Sequence, residues 1–417
     1  MPDKASTAIL HYTAPPVIGG VEAVMEAHAL QLRRSEISCG VVAGEGDAAA
    51  LPDGVAWIEI PELNSQNTQI LALSNELEVG RVPGEFNRMV DTIQEKLETV
   101  LAPYDNLIVH NVFTKHFNLP LTAALVNLLD SGRLNNCIAW CHDFTWTSSH
   151  SRNKVHPGYP WDLLRTFRSD LRYVVVSEMR QRELAGLFGV PLDAIRVIYN
   201  GVDPNILLGI SSQGQKIIES FGLLQSDLNL LMPVRVTQAK NIEFALQVVA
   251  VIKKAGVVVR LVLTGPPDPH DAQSMAYFHH LQAMRHDLGV EREMHFVFEL
   301  DGNQNTGTIL GLDVVGDLYR ASDLVFMPSH REGFGMPVLE GGLAGLAVFS
   351  TPVPASQEIG SDHVHIFNFD DTPKDVAGLI MDWAQVDSIH RFRRKMRQKY
   401  TWQAIFEDEI RPLLTNG

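Results

Sequence analysis

Two glutamates, Glu332 and Glu340, stand eight positions apart in the stretch "HREGFGMPVLEGG". Two carboxylates beside a glycine turn suit a general acid and base, a metal site, or a clamp on a ligand with several hydroxyls. The preceding "LVFMPS" has the apolar run of a buried strand. Pro337 suits the first turn of a helix, where its missing N–H is one the helix leaves unpaired anyway. The order is therefore strand, glycine loop, helix. Gly333 and Gly335 remove side chains so that backbone amides can approach a ligand, and the helix N-terminus carries partial positive charge. Glu332 falls just before that helix and Glu340 about one turn inside it, so they are not a simple same-face pair. Such an arrangement suits hydrogen bonding to paired hydroxyls on two parts of one ligand. The structural alternative is a glycine-rich helix start with a capping acid.

Four further groups bear chemistry. "PVRVTQAKN" places Arg235 and Lys240 five apart after an apolar strand, where a planar fork and a point charge together suit a diphosphate. Ordinary surface charge is the alternative. Gly19 and Gly20 lie between a first strand and a first helix, where a phosphate could approach, although they form neither G-x-G-x-x-G nor a P-loop. His142 ends the strand "CIAWC", the edge where α/β domains place their functional residues, while a lone histidine can equally be structural. "WDLLRTFRSDLRYVVVS", read as helix before its final strand, sets Arg165, Arg168 and Arg172 at i, i+3 and i+7 on one face. That cationic stripe would suit a phosphate or carboxylate on an acceptor, or else be a solvated face partnered by Asp162 and Asp170.

These residues need elements to hold them. Apolar strand-like runs alternate with amphipathic helical stretches throughout, the pattern of parallel α/β sheets. Strands are expected at "TAILHY", "SCGVVAG", "NLIVHN", "CIAWCHD", "YVVVS" and "IRVIYN". A second series follows at "LNLLMPVRV", "VRLVLTG", "MHFVFE", "DLVFMPS" and "AVFST". Between the series the pattern lapses at "NGVDPNILLGISSQGQ", which sets a boundary near residue 205. The expected organisation is a first doubly wound domain over 1–205, a second over 206–388, and a C-terminal helix over 389–417, whose return to the first domain is implied only by the resemblance given below. Function would lie in a cleft faced by the strands' C-terminal ends.

Composition narrows the partners. The 417 residues carry 34 Lys+Arg against 49 Asp+Glu, a net charge of −15, which disfavours nucleic acid and an anionic membrane surface. No apolar run reaches the roughly 18 residues of a membrane span, and the N-terminal stretch lacks the pattern of a secretory leader. Cys39, Cys137 and Cys141 are too few and odd in number for a disulfide framework, so a reducing cytoplasm is expected. Cys137, Cys141 and His142 have no second ligand pair after them, and buried thiols are the better reading than zinc.

Nearly the whole chain resembles the retaining glycosyltransferases of family 4, which have the GT-B fold of two Rossmann-like domains facing each other across a cleft. The resemblance is carried by "GGVE", "HDF", "RVTQAK", "LYRASDLVFMPSHREGFGMPVLEGGLAG" with its E-x7-E block, and "YTWQAIFEDEI". It implies that Glu332 contacts the donor sugar and Glu340 the ribose of the nucleotide. The amides of Gly333, Phe334, Gly335 and Met336 would hold the sugar, and Arg235 and Lys240 the diphosphate. Gly19 and Gly20 would let the first domain close on that diphosphate, and His142 would lie near the reacting carbon. The implied activity is transfer of a hexose, from a donor of the UDP-glucose or GDP-mannose type, to a hydroxyl of a small soluble acceptor. The nucleotide sugar is a co-substrate, and no cofactor or essential metal is expected. An epimerase of the same fold, or a binding protein without catalysis, would share the donor clamp.

Overall fold

The computed structural model describes residues 5–134, 136–268, 273–300 and 310–415. The first four residues of the stretch read as lacking a leader, and the last two of the C-terminal helix, lie outside them. The chain divides into two units: Met1–Gly201 with Trp402–Gly417, and Val202–Thr401. The first boundary lies a few residues before the expected one. The second lies later than expected, at Trp402.

The first unit holds a seven-stranded parallel sheet: β1 (Thr7–Leu10), β2 (Cys39–Ala43), β3 (Ala56–Glu59), β4 (Asn106–His110), β5 (Cys137–Cys141), β6 (Leu171–Val175) and β7 (Ile195–Val197). Their order is β3-β2-β1-β4-β5-β6-β7, so the winding reverses between β1 and β4. Every residue of β1, β2, β4 and β5 is buried, as helices covering both faces require. Alternate side chains supply two cores. Leu10, Val109, Cys137 and Cys141 face one way, Ile9, Ile108, Ile138 and Trp140 the other. The helix Phe86–Leu101 shows why such segments fold: Phe86, Val90, Ile93, Leu97 and Leu101 recur at helical spacing, and all are buried.

The second unit repeats the plan with β8 (Leu228–Met232), β9 (Val259–Leu263), β10 (Met294–Phe296), β11 (Leu324–Met327), β12 (Ala347–Ser350) and β13 (His365–Ile366). Its order, β10-β9-β8-β11-β12-β13, reverses between β8 and β11. Both sheets are doubly wound, and the α/β class is as expected. Strands β3 and β13 were not among those expected; β3 is half exposed and β13 has two residues, so neither carries a long apolar run.

Two expected elements are corrected. The stretch from Trp161 is not a helix carrying three arginines. It is a short 3-10 turn over Trp161–Leu164, then loop, and Arg172 already lies on β6. The tail is not one helix either: Ser388–Lys399 belongs to the second unit, and a new helix starts at Trp402 in the first. The break falls where Thr401 bridges Val202 and the Val202 amide donates to the Tyr400 carbonyl at 2.9 Å. Beyond it Ile405, Phe406, Ile410, Leu413 and Leu414 pack into the same core as Ile9 and Trp140.

Candidate active site

In the second unit the reversal point brings together the loops after β8 and β11, the place where open α/β sheets bind ligands. The chain leaves β8 at Pro233 and makes a 3-10 turn at Gln238–Lys240. Asn241, at φ 52°, then starts the helix Ile242–Lys254. The His330 amide donates to the Ala239 carbonyl at 2.9 Å and ties the two loops together. Lys240 Nζ consequently lies 2.6 Å from both carboxylate oxygens of Glu332. Ser329 Oγ donates to Glu332 Oε1 at 2.7 Å, and Thr351 Oγ1, just past β12, donates to the Ser329 carbonyl at 2.6 Å. The Glu332 side chain is 8% exposed, so this ion pair is largely shielded from water and is strong and directional.

The loop then turns into the helix Met336–Leu343, with Pro337 in its first turn. Gly335 has φ 105°, and a Cβ there would stand 3.3 Å from that of Ala355, so the turn requires glycine. Among the described residues, the amides of Gly333, Phe334, Gly335 and Met336 donate to no protein acceptor. Four free N–H groups thus sit at a helix N-terminus, the arrangement that receives anionic or hydroxyl oxygens. Gly341 fixes the helix close to the sheet, since a Cβ there would come within 2.9 Å of Val325 and Val348. Glu340 is exposed and accepts a hydrogen bond from Tyr319 Oη. Burial raises the Tyr319 pKa, and the Glu340 charge raises it further, so Tyr319 is a donor at all ordinary pH.

Arg235 is 58% exposed, and among the described residues it pairs with Asp268 at 3.9 Å. The second unit therefore gathers Glu332, Lys240, the four amides and Glu340 on two adjoining loops and one helix start. Arg235 stands on the same loop as Lys240. The partners Ser329, Tyr319 and Thr351 escaped sequence reasoning; only Ser329, three residues before Glu332, left a local signal.

In the first unit the loop after β1 carries Gly19 and Gly20. A Cβ at Gly19 would fall 2.1 Å from a Glu22 carboxylate oxygen, so any larger residue there would have to displace the Glu22 side chain. Glu22 is buried, accepts from Thr13 Oγ1 at 2.5 Å and lies 4.0 Å from His11 Nε2. Gly20, in contrast, faces open space. His142 follows β5 as expected, its amide donating to Asn111 Oδ1 at 2.8 Å. Its Nε2 lies 3.1 Å from His110 Nδ1, with the rings stacked at 5.4 Å.

His142 is not a lone histidine. His11 after β1, His110 at the end of β4 and His28 on the first helix surround it, a group invisible in sequence because its members come from four elements. Burial pushes His142 down to about 4, with a neighbouring His11 charge adding to the effect and Asp143 opposing it. Burial lowers His28 to about 3 and holds His110 and His11 below the ordinary histidine range. All four are neutral at pH 7.

The arginine stripe does not exist as a surface. Arg165 pairs with Asp162 at 2.8 Å and covers Trp146, and Arg168 bonds Asp130 and Asp170. Arg172 donates to the Leu413 carbonyl at 2.8 Å, tying β6 to the C-terminal helix. Cys39, Cys137 and Cys141 are buried free thiols, with Cys39 and Cys141 pushed up to about 12 by burial. Among the described residues no group of His, Cys, Asp or Glu is placed to hold a metal, and no helix is long and apolar enough to cross a membrane.

Residues 18–206 match the model of Glycosyltransferase Family 4, and residues 215–401 that of Glycosyl transferases group 1. The chain belongs to this glycosyltransferase family. Its two doubly wound domains are those of the GT-B class. It is 26% identical over 257 residues to an uncharacterized glycosyltransferase of Methanocaldococcus jannaschii, covering 60% of this chain and 61% of that one. It is also 26% identical over 333 residues to the mannosylglucosylglycerate synthase of Petrotoga mobilis, covering 75% of this chain and 70% of that one. A glycosyltransferase structure from Rickettsia africae shows a distant likeness, with 16% identity, a TM-score of 0.37, and 99% and 100% of the two chains covered.

Proposed function

We propose that this glycosyltransferase moves a hexose from a nucleotide sugar of the UDP-glucose or GDP-mannose type to a hydroxyl of a small soluble acceptor, with retention. The observation that carries this reading is the run of four free amides at the start of the helix Met336–Leu343, bracketed by Glu332 and Glu340. Hydroxyls of the hexose would bond to those amides and to Glu332, and ribose hydroxyls to Glu340. Lys240, already fixed by Glu332, and the exposed Arg235 would take the diphosphate and stabilise the charge that grows on it as the glycosidic bond breaks. Glu332 has Lys240 on both oxygens and Ser329 on one, which disfavours it as the nucleophile of a double displacement. Transfer on one face, assisted by the leaving phosphate, fits better. The named activity of the Petrotoga relative supports a hexosyl group and a small acceptor. The three free thiols support a reducing cytoplasm.

Binding and product analysis test this. A saturating nucleotide sugar, at about 100 times its Kd, should stabilise the protein by ~2.7 kcal/mol. The anomeric configuration of the product, read by NMR, should match that of the donor, and turnover should survive a chelator because Arg235 and Lys240 serve the diphosphate. If no nucleotide sugar raises the melting temperature, the donor assignment fails. Conversion of the sugar nucleotide without any acceptor would instead identify an epimerase.

A further inference from the structure

The first sheet also reverses its winding, between β1 and β4, and the loops leaving those strands face the place where a doubly wound domain holds a ligand. Lys115 stands on the loop after β4. Hydrogen bonds lock that loop to the one after β5. Asn111, held at φ 60°, accepts from the amides of His142 and Asp143 at 2.8 and 3.2 Å. The Thr145 amide donates to the Thr114 carbonyl at 2.9 Å, and the His116 amide to Thr145 Oγ1 at 3.1 Å. From the first turn of the helix Glu178–Phe188, Arg180 reaches across to Asp143 at 2.8 Å and back to Glu183 at 2.7 Å. The charges of Asp143 and Arg180 both act on Lys115.

Lys115 is half-buried, yet among the described residues its ammonium has no carboxylate within 4.0 Å and no hydrogen-bond acceptor. It rests 4.9 Å above the Phe117 ring. Burial lowers its pKa, an effect Asp143 opposes and Arg180 reinforces, so the ammonium lacks the stabilisation that a close anion would supply. The nearby Asp143 carboxylate is already bound by the Arg180 guanidinium. Lys115 differs in this from Arg165 and Arg168, and from Arg180 itself, whose guanidinium groups already hold carboxylates.

We infer that Lys115, with Arg180 beside it, forms a subsite for an oxyanion, a carboxylate or a phosphate, carried by the acceptor. The inference rests on the transferase reading for the word acceptor, but not for the binding itself. Lys115 would meet the anion as a point charge, and Arg180 would offer its remaining N–H groups.

Calorimetry on the full chain with glycerate, glycerol 3-phosphate and glycerol tests this without requiring turnover. Wild type should bind at least one of the two anions and bind glycerol at least tenfold more weakly; the preferred anion separates carboxylate from phosphate. Lys115→Gln should lose tenfold or more in affinity for that anion, and Arg133→Gln, on a distant surface, should lose nothing. Nucleotide-sugar binding by Lys115→Gln, followed through the melting temperature, should match wild type and shows that the variant is folded. Failure of both anions to bind, or equal binding by Lys115→Gln, overturns the subsite. Loss of nucleotide-sugar binding in the wild type overturns the donor assignment instead, and the two failures are separate.

Discussion

Glu332 and Glu340 have the same side chain but different surroundings, so their substitutions should be read differently. Glu332 is shielded and ion-paired, while Glu340 is exposed and held by one tyrosine. Under the proposed assignment, Glu332→Gln removes a charge that acts on the reacting sugar. Turnover should fall on the order of a hundredfold, with donor affinity changing much less, as for loss of one oriented charge contact. Tyr319→Phe removes one hydrogen bond to a carboxylate, and frees Glu340 to rotate. Donor Kd should rise by roughly tenfold, since a bond to a charged group contributes about 1.5 kcal/mol or more. Steady-state kinetics with donor titration checks both. A Glu332→Gln enzyme with wild-type turnover would remove that residue from the catalytic role.

At the scale of elements, the two glycine turns differ in a way that sequence could not show. Gly335 is needed by the fold. Its φ of 105° and the nearby Ala355 make Gly335→Ala destabilising by about 1–2 kcal/mol or more, with the helix N-terminus displaced. Gly20 starts a helix and faces open space, so Gly20→Ala should leave thermal stability unchanged or raise it slightly. If Gly20 leaves room for the donor diphosphate, the same substitution should still weaken donor binding. Melting curves with and without nucleotide sugar separate these effects. The helix Ser388–Lys399 offers a structural contrast, because its Arg397 makes two bonds at 2.9 and 3.0 Å to the buried Asp323, with His390 3.5 Å away. Asp323→Asn should destabilise the second unit by about 3–5 kcal/mol, measured by denaturant unfolding, because it strands a buried guanidinium.

Across the whole molecule, acid should act first through buried histidines, which are more numerous in the first unit. In the first unit, His11, His28, His110 and His142 all have folded pKa values below the unfolded value. Above that unfolded range both states are neutral and nothing is lost. As pH falls through it, the unfolded chain takes up protons that the folded unit refuses, and stability declines. The decline should begin near the ordinary histidine value of about 6.5. In the second unit burial alone would raise the pKa of Asp323, but the charge of Arg397 and contact with His390 bring it well below the usual carboxylate range. That contribution is fully present above the ordinary aspartate range and fades only in stronger acid. Calorimetric scans between pH 7 and 4 should therefore show the first unit losing more stability than the second, where among the described residues burial holds down His295, to about 4, and His365, and His28→Gln should blunt the first unit's slope. Parallel loss in both units would contradict this account.

What the sequence determined by itself is local. The strand "LVFM", the glycine loop and the proline-led helix are contiguous, so periodicity and backbone chemistry were enough to place Glu332 before a helix and Glu340 inside it. The all-buried strands were legible as apolar runs because parallel sheets cover both faces with helices. Tertiary structure decided everything that depends on sheet order. Lys240 and Glu332, 92 residues apart, meet because β8 and β11 are neighbours at a reversal of winding. The histidine group forms because β1, β4 and β5 end side by side. The arginine stripe fails for the same reason: Arg172 reads as the end of a helix before "YVVVS", but the strand begins at Leu171, where β5 and β7 offer it ladder partners on both sides. Pairing energy that comes from residues distant in sequence is invisible to any local window, and it decides which side chains share a site.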